Sequence, residues 1–268
     1  MLPDSFAPPE RTAVDLAARH GWQIRRFRVG DFVLVGYGAP GRLRGDVLRV
    51  YVEGDGAGWS NRFTPPADPT PRDPVAFRLA VADGAPGTLY LARACQYRAL
   101  GAAGPCTAAY WAEARFAPVL LAAYDAAITE AMRVAGARRV ELAGYSGGGV
   151  VVALLAARRA DVAGLVTVAA PLDTAAWTRA HDVAPLSGSL SPMDVAARLG
   201  AVPQVHLAGD RDDTVPVATV RTLMDALGAT APARLVVMAG FDHRCCWVAR
   251  WPKILGTAGW TSPSGPIR

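Results

Sequence analysis

Apolar positions follow two spacings along the chain, and short strand-like runs alternate with longer stretches of helical spacing. Such alternation predicts a mostly parallel central sheet with helices on both faces, an α/β architecture. Strands are predicted at Phe32–Tyr37, Asp46–Val52, Thr88–Leu91, Arg139–Leu142, Leu165–Val168, Gln204–Leu207 and Arg234–Met238, and helices at Glu10–His20, Val75–Ala82, Ala112–Val134, Val150–Arg159, Val217–Leu227 and from about Cys245.

The chain of 268 residues contains no internal repeat, and one domain over 1–268 is expected. The segment Pro171–Gly200 is too irregular for one helix and too long for a simple turn. Two interpretations remain open for it. It forms a small cap over the functional site, or it is a packed excursion without a gating role.

Charge and hydropathy argue against a nucleic-acid partner and against a membrane span. The net charge is +5, and every basic residue except Lys253 is an arginine. The arginines are scattered and form no stripe beside aromatic residues, so no nucleic-acid partner is expected. No apolar run reaches the length of about 18 residues that a membrane span needs, so no transmembrane segment is expected.

The strongest chemical signal is the run from Gly144 to Gly149, which reads Gly-Tyr-Ser-Gly-Gly-Gly. It follows a predicted strand and opens a predicted helix, as the nucleophile elbow of a serine hydrolase requires. Ser146 is therefore the candidate nucleophile. The alternative, a glycine-rich phosphate loop, would need a lysine before the hydroxyl residue, and none is present.

A serine nucleophile needs a base, and four histidines are available. His243 follows a predicted strand and lies at the carboxyl edge of the sheet, so it is the candidate base. His20 ends a predicted helix, His181 lies in the candidate cap and His206 lies within a strand. The last of these is best interpreted as a core histidine with satisfied hydrogen bonds.

The base in turn needs a carboxylate that fixes its tautomer. Four aspartates compete for this role. Asp210 suits the capping of backbone donors in its turn, and Asp242 is adjacent to His243, where the two side chains rarely aim at each other. Asp212 and Asp213 both stay open on position alone.

Acyl transfer also needs backbone donors for the developing oxyanion. The amide of Gly147 is one candidate, and the amide of Asp55 in the turn Glu53–Gly56 is the other. A plain hairpin turn is the alternative interpretation of that segment. Substrate contacts are assigned to Gly54, Trp59 and Tyr145.

Four cysteines occur in two pairs, without the spacing of a zinc site. Cys95 and Cys106 flank a loop and are expected to close it as a disulfide, the alternative being two buried thiols. Cys245 and Cys246 are adjacent. They form either a vicinal bond or part of the packing near the site.

The order of GYSGG, GDRDDTVP and FDH resembles the α/β-hydrolase family of the esterase and lipase type, over about Asp31 to Pro252. In that family the acid typically stands three residues before a Val-Pro pair, which selects Asp212 before Val215-Pro216. The chain departs from the family at the oxyanion turn, where Glu53-Gly54 replaces the common His-Gly pair.

The resemblance implies an α/β-hydrolase fold and a serine hydrolase that cleaves carboxylic esters through an acyl-enzyme. Ser146, His243 and Asp212 would form the triad, and no metal or organic cofactor would be needed. The substrate would be a small-molecule or lipid-like ester. The alternatives are an acyltransferase, a perhydrolase or a thioesterase on the same triad, and a non-catalytic binding protein on this fold.

The runs VYVEGDGAGW and DHRCCW also resemble a group of bacterial hydrolases that are usually exported or lipid-anchored. This likeness implies a periplasmic or secreted location. It also favours a disulfide between Cys95 and Cys106. A cytoplasmic location is the alternative, because Met1–Asp4 lacks the pattern of a signal peptide.

Overall fold

The computed structural model describes residues 7–41, 46–57, 64–257 and 259–260. Its described strands form one sheet of eight members in the order β1-β2-β4-β3-β5-β6-β7-β8. Strands β1 and β2 form an antiparallel hairpin, β2 also pairs antiparallel with β4, and all remaining neighbours are parallel. The strands are β1 Gln23–Val29, β2 Phe32–Gly38, β3 Val47–Val52, β4 Leu89–Leu91, β5 Arg139–Tyr145, β6 Val162–Val168, β7 Gln204–Gly209 and β8 Ala233–Met238.

Helices cover both faces of the sheet, which confirms the predicted α/β architecture. One face packs against α3, α4, α6 and α7, and the other packs against α1, α2 and α8. In β3 the alternation is direct, since Val50 and Val52 belong to the first cluster and Tyr51 to the second. The helices are α1 Arg11–His20, α2 Val75–Asp83, α3 Pro118–Ala135, α4 Gly147–Ala156, α5 Thr174–Ala180, α6 Ala196–Leu199, α7 Val217–Leu227 and α8 Trp247–Thr257.

Two elements differ most from the prediction, while the bounds of several others shift by up to three residues. Strand β1 was not predicted, because its arginines obscure the apolar alternation of an edge strand that is buried mainly at Phe27 and Val29. Helix α3 begins at Pro118 rather than Ala112, since proline fits the first turn of a helix and a short 3-10 turn at Ala108–Trp111 precedes it. Among the described residues, no helix is both long and apolar enough to cross a bilayer.

Segment 171–200 consists of short elements. Helix α5 is capped by Asp173, whose side chain accepts the amide of Ala176 at 2.9 Å. A 3-10 turn at Pro192–Val195 and helix α6 follow. Its role as a cap stays a prediction.

Both cysteine pairs are bonded, so the thiol alternatives are wrong in this structure. Cys95 and Cys106 are joined across a separation of 11 residues, with a Cα–Cα distance of 5.6 Å. Cys245 and Cys246 form a vicinal bond. The first bridge closes the loop that follows β4, and the second lies just after His243.

The bridge between Cys95 and Cys106 should stabilise the fold far more than the vicinal bridge. Closing a loop of this length removes unfolded-state entropy worth about 3 kcal/mol, whereas joining neighbours removes almost none. The double variant Cys95→Ala/Cys106→Ala is expected to lower the free energy of unfolding by about that amount. Guanidinium denaturation followed by circular dichroism measures the change.

The matched control is Cys245→Ala/Cys246→Ala, which removes a bridge of the same chemistry with no loop to close. Its unfolding free energy should stay within about 1 kcal/mol of the wild type. Equal losses in the two double variants would contradict the loop-closure argument.

Candidate active site

Ser146 lies at a sharp turn between β5 and α4. Its backbone has φ 51° and ψ −125°, a conformation that a residue with a side chain rarely adopts and that costs of order 1–3 kcal/mol. The turn is held in place by the Ser146 amide, which donates to the carbonyl of Val168 at 2.8 Å. The hydroxyl therefore stands above the carboxyl edge of the sheet, at the positive end of a helix dipole.

The glycines on either side of Ser146 allow this turn by close backbone approach. A Cβ on Gly144 would overlap the carbonyl of Gly148, and a Cβ on Gly148 would overlap the carbonyls of Val52 and Glu53. Both positions therefore exclude any side chain. The prediction of a tight elbow at this motif agrees with the geometry.

His243 is oriented by Asp212. Its Nδ1 donates to Asp212 Oδ2 at 2.9 Å, and the Asp212 side chain is fully buried. The other oxygen, Oδ1, accepts the amides of Thr214 and Val215 at 2.9 and 2.7 Å. Because a carboxylate only accepts, the proton of neutral His243 lies on Nδ1, and Nε2 carries a free lone pair.

The loop of His243 is joined to the elbow itself. Tyr145, directly before Ser146, donates its hydroxyl to the carbonyl of His243 at 2.8 Å. The two rings pack with centroids 5.3 Å apart. His243 is thus in contact with Asp212 and with the residue before Ser146, at the carboxyl ends of β5, β7 and β8.

The other three candidate aspartates lie in different surroundings. Asp210 accepts the amide of Gly240 at 2.7 Å, the capping role that its position predicts. Asp242 accepts the amides of Arg244 and Cys245, which closes the turn that contains His243. Asp213 is exposed.

The other histidines lie as the sequence indicates. His206 is fully buried and bonds to Thr167 Oγ1 and Gln204 Oε1, and burial lowers its pKa to about 4. It is a neutral core residue. His20 is exposed at the end of α1.

The turn Glu53–Gly56 packs directly on the elbow. A Cβ on Gly54 would lie 3.3 Å from the Cβ of Ser146, and a Cβ on Gly147 would overlap the carboxylate of Asp55. The Gly147 amide is in the first turn of α4, where amides lack helical partners. The two predicted oxyanion donors, the amides of Gly147 and Asp55, thus belong to segments in contact.

Two arginines that sequence reasoning missed hold Asp55 in place. Arg93 Nη1 and Arg115 Nη1 each donate to one of its carboxylate oxygens at 2.8 Å. Burial alone would raise the pKa of Asp55, but Arg115 and Arg93 outweigh it and hold the pKa below its usual value. No local pattern links these arginines to residue 55, because they are 38 and 60 residues away along the chain.

Segment 171–200 contacts the acid loop, the turn from Asp210 to Val215, through helix α5. Trp177 Nε1 and His181 Nε2 both donate to the carbonyl of Thr214, at 2.7 and 2.8 Å. The guanidinium of Arg115 lies 6.0 Å from the Trp177 ring centroid. A chain of contacts therefore runs from the oxyanion turn to the acid loop.

Of the residues assigned to substrate contact, Gly54 and Tyr145 lie against Ser146 and His243. Trp59 falls outside the described residues. In the part of the chain that the structure describes, no three His, Cys, Asp or Glu side chains cluster in a way that could hold a metal ion.

Solved structures from several organisms resemble this one over most of its length. Pyrococcus furiosus esterase Pf2001 has a TM-score of 0.63 at 14% identity, with 94% of each chain covered. Est1E from Butyrivibrio proteoclasticus has a TM-score of 0.60 at 14% identity, covering 89% of this chain and 99% of its own. An α/β serine hydrolase homologue from Coxiella burnetii has a TM-score of 0.59 at 18% identity, with coverages of 88% and 95%.

Sequence comparison adds no relative. No family model matches the chain, and no curated protein matches it significantly. The structural likeness therefore carries the assignment at the level of the fold. The eight-stranded, mostly parallel sheet with its flanking helices is an α/β-hydrolase fold.

Proposed function

We propose that the protein is a serine hydrolase that cleaves carboxylic esters, with Ser146 as nucleophile, His243 as general base and Asp212 as its orienting acid. The observation that carries the proposal is the bond of 2.9 Å from His243 Nδ1 to buried Asp212, in a loop tied to the residue before Ser146. The esterases and serine hydrolase homologue of the same fold support it. A small-molecule or lipid-like ester is the substrate class.

In the first half of the reaction, Ser146 Oγ attacks the ester carbonyl while His243 Nε2 takes the hydroxyl proton. Asp212 stabilises the imidazolium that forms. The negative oxygen of the tetrahedral intermediate is held by the amides of Gly147 and Asp55. The carbon–oxygen bond to the alcohol then breaks, His243 returns its proton to the alcohol, and an acyl-Ser146 ester remains.

In the second half, water replaces the alcohol. His243 takes one proton from the water as its oxygen attacks the acyl carbon, and the same two amides hold the new oxyanion. The bond to Ser146 Oγ breaks, the serine regains the proton and the carboxylic acid leaves. Both halves use the same residues, and in each of them His243 acts first as a base and then as an acid. No additional group is therefore needed.

Replacing the nucleophile should abolish turnover. Ser146→Ala is expected to lower kcat for p-nitrophenyl esters by about 10⁴-fold or more, because the acyl-enzyme can no longer form. Initial rates with acyl chains from acetate to laurate, measured on wild type and variant, test this. The chain-length profile of the wild type also sizes the acyl pocket.

The matched control is Ser187→Ala, at an exposed serine of segment 171–200. It should leave rates within about twofold of wild type. Equal activity in Ser146→Ala and wild type would refute the nucleophile. If the wild type were inactive on every ester yet labelled at Ser146 by a fluorophosphonate, an acyltransferase, perhydrolase or thioesterase would replace the esterase proposal. Failure to label would favour a binding protein.

A comparison of Asp212 with its neighbour Asp213 distinguishes a carboxylate that orients His243 from an acid that merely lies nearby. In Asp212→Asn, the amide oxygen keeps the bonds to Thr214 and Val215, but its NH₂ group faces His243 Nδ1 and forces the wrong tautomer. We expect kcat to fall by about 10³-fold or more while KM stays within about threefold. Michaelis–Menten kinetics on the best p-nitrophenyl ester measure both values.

The neighbouring variant Asp213→Asn makes the same chemical change at an exposed side chain. Its kcat should stay within about twofold of wild type, and the melting temperatures of both variants should show that they fold. A large loss in Asp213→Asn with little loss in Asp212→Asn would reassign the acid.

A further inference from the structure

Glu53 is a buried carboxyl group to which the proposed mechanism gives no role. It follows β3 at the carboxyl edge of the sheet, directly before the oxyanion turn, and its exposed fraction is 1%. Burial raises the pKa of this carboxyl to about 7, although nearby amides and the Tyr90 hydroxyl partly offset that effect. Burying such a group is costly, so its partners indicate what it does.

One oxygen of Glu53 joins the oxyanion turn to a helix. Oε1 accepts the amide of Gly54 at 2.9 Å and the amide of Ala76, in the first turn of α2, at 3.2 Å. Helix α2 follows Pro74, which supplies no side-chain cap, so Glu53, from the loop after β3, caps it. A single oxygen thus ties the backbone of the turn to a packed helix.

The second oxygen fixes the carboxyl plane. Oε2 accepts the hydroxyl of Tyr90 at 3.1 Å, and the Tyr90 hydroxyl lies 3.4 Å from that of Tyr97. All three side chains are almost completely buried. Glu53 is therefore held in one rotamer, with Oε1 directed at the turn.

The next peptide unit, between Gly54 and Asp55, is also held through its carbonyl oxygen. Gln96 Nε2 donates to the carbonyl of Gly54 at 3.0 Å and to that of Pro69 at 3.3 Å. Because the amide of Gly54 already donates its hydrogen bond to Glu53, it cannot serve as an oxyanion donor. The next amide, that of Asp55, is left for that role.

We propose that Glu53 is the positioning residue of the oxyanion turn, acting through the Gly54 amide to aim the Asp55 amide at the developing oxyanion. This inference rests on the proposed esterase function. The role depends on the reach and shape of the side chain rather than on its charge. Glutamine can fill it, because its oxygen accepts the two amides and its NH₂ group donates to the Tyr90 hydroxyl. Aspartate is one methylene too short.

The test is a kinetic series on a p-nitrophenyl ester with Glu53→Gln, Glu53→Asp and the wild type. Glu53→Gln should keep kcat within about threefold. Glu53→Asp should lose about 10²-fold in kcat, the effect of losing one oxyanion donor, with KM changed less than about threefold. A loss in Glu53→Gln with retention in Glu53→Asp would overturn the proposal, because charge would then be what matters.

The matched control is Glu141→Asp, which shortens another carboxylate of the same sheet. Glu141 lies in β5 toward the amino end of the strands, where it pairs with Arg49 at 2.8 Å. This variant is expected to lose stability but keep kcat. If Glu53→Asp likewise lost melting temperature with unchanged kcat, Glu53 would be a helix cap only, and the proposal would fail.

The rate of Ser146 labelling by a fluorophosphonate separates this proposal from the esterase assignment. In that reaction Oγ bonds to phosphorus, fluoride leaves with the bond electrons, His243 takes the proton, and the phosphoryl oxygen uses the same two amides. If the wild type labels but cleaves no ester, the ester assignment fails, and the Glu53 series is read from labelling rates with the same expected ratios. If the wild type neither labels nor turns over, both proposals fail.

Discussion

The strained turn at Ser146 can form only where three backbone segments meet without intervening side chains. Gly144 and Gly148 leave no room for a Cβ, since each lies against a carbonyl of the elbow or of the end of β3. The same closeness brings the turn Glu53–Gly56 onto Ser146. Strand β3 pairs in parallel with β5, so their carboxyl ends meet at one edge. The site therefore follows from strand order and from the absence of side chains at these glycines.

Such close packing places a carboxylate beside the site, where two arginines pair with it. Asp55 bonds to two guanidinium groups, which lower the pKa of its carboxyl by more than burial raises it. Arg93 donates further to the carbonyl of Arg115 and the hydroxyl of Tyr124. Arg93 and Gln96 lie on either side of Cys95, so the disulfide from Cys95 to Cys106 anchors the segment that holds the turn Glu53–Gly56.

The sequence predicted what local patterns encode. The elbow motif, the strand before it and the loop of His243 follow from residue spacing, while Asp212 needed the family pattern because Asp213 fits position equally well. The hairpin partner of β2 was missed although the Gly30-Asp31 pair between Val29 and Phe32 is a turn signal. The partners of Asp55 and Glu53 could not be predicted, because they are set by strand order and not by distance along the chain.

Helix α5 links segment 171–200 to the residues of the proposed triad. Trp177 and His181 both hold the carbonyl of Thr214, while the amide of Thr214 donates to Asp212. Moving α5 outward as a lid would break the first two bonds and free the peptide that helps to hold the acid. An opening motion would then loosen the orientation of His243 at the moment when substrate enters. The two bonds to the Thr214 carbonyl therefore tie α5 to the loop that contains Asp212.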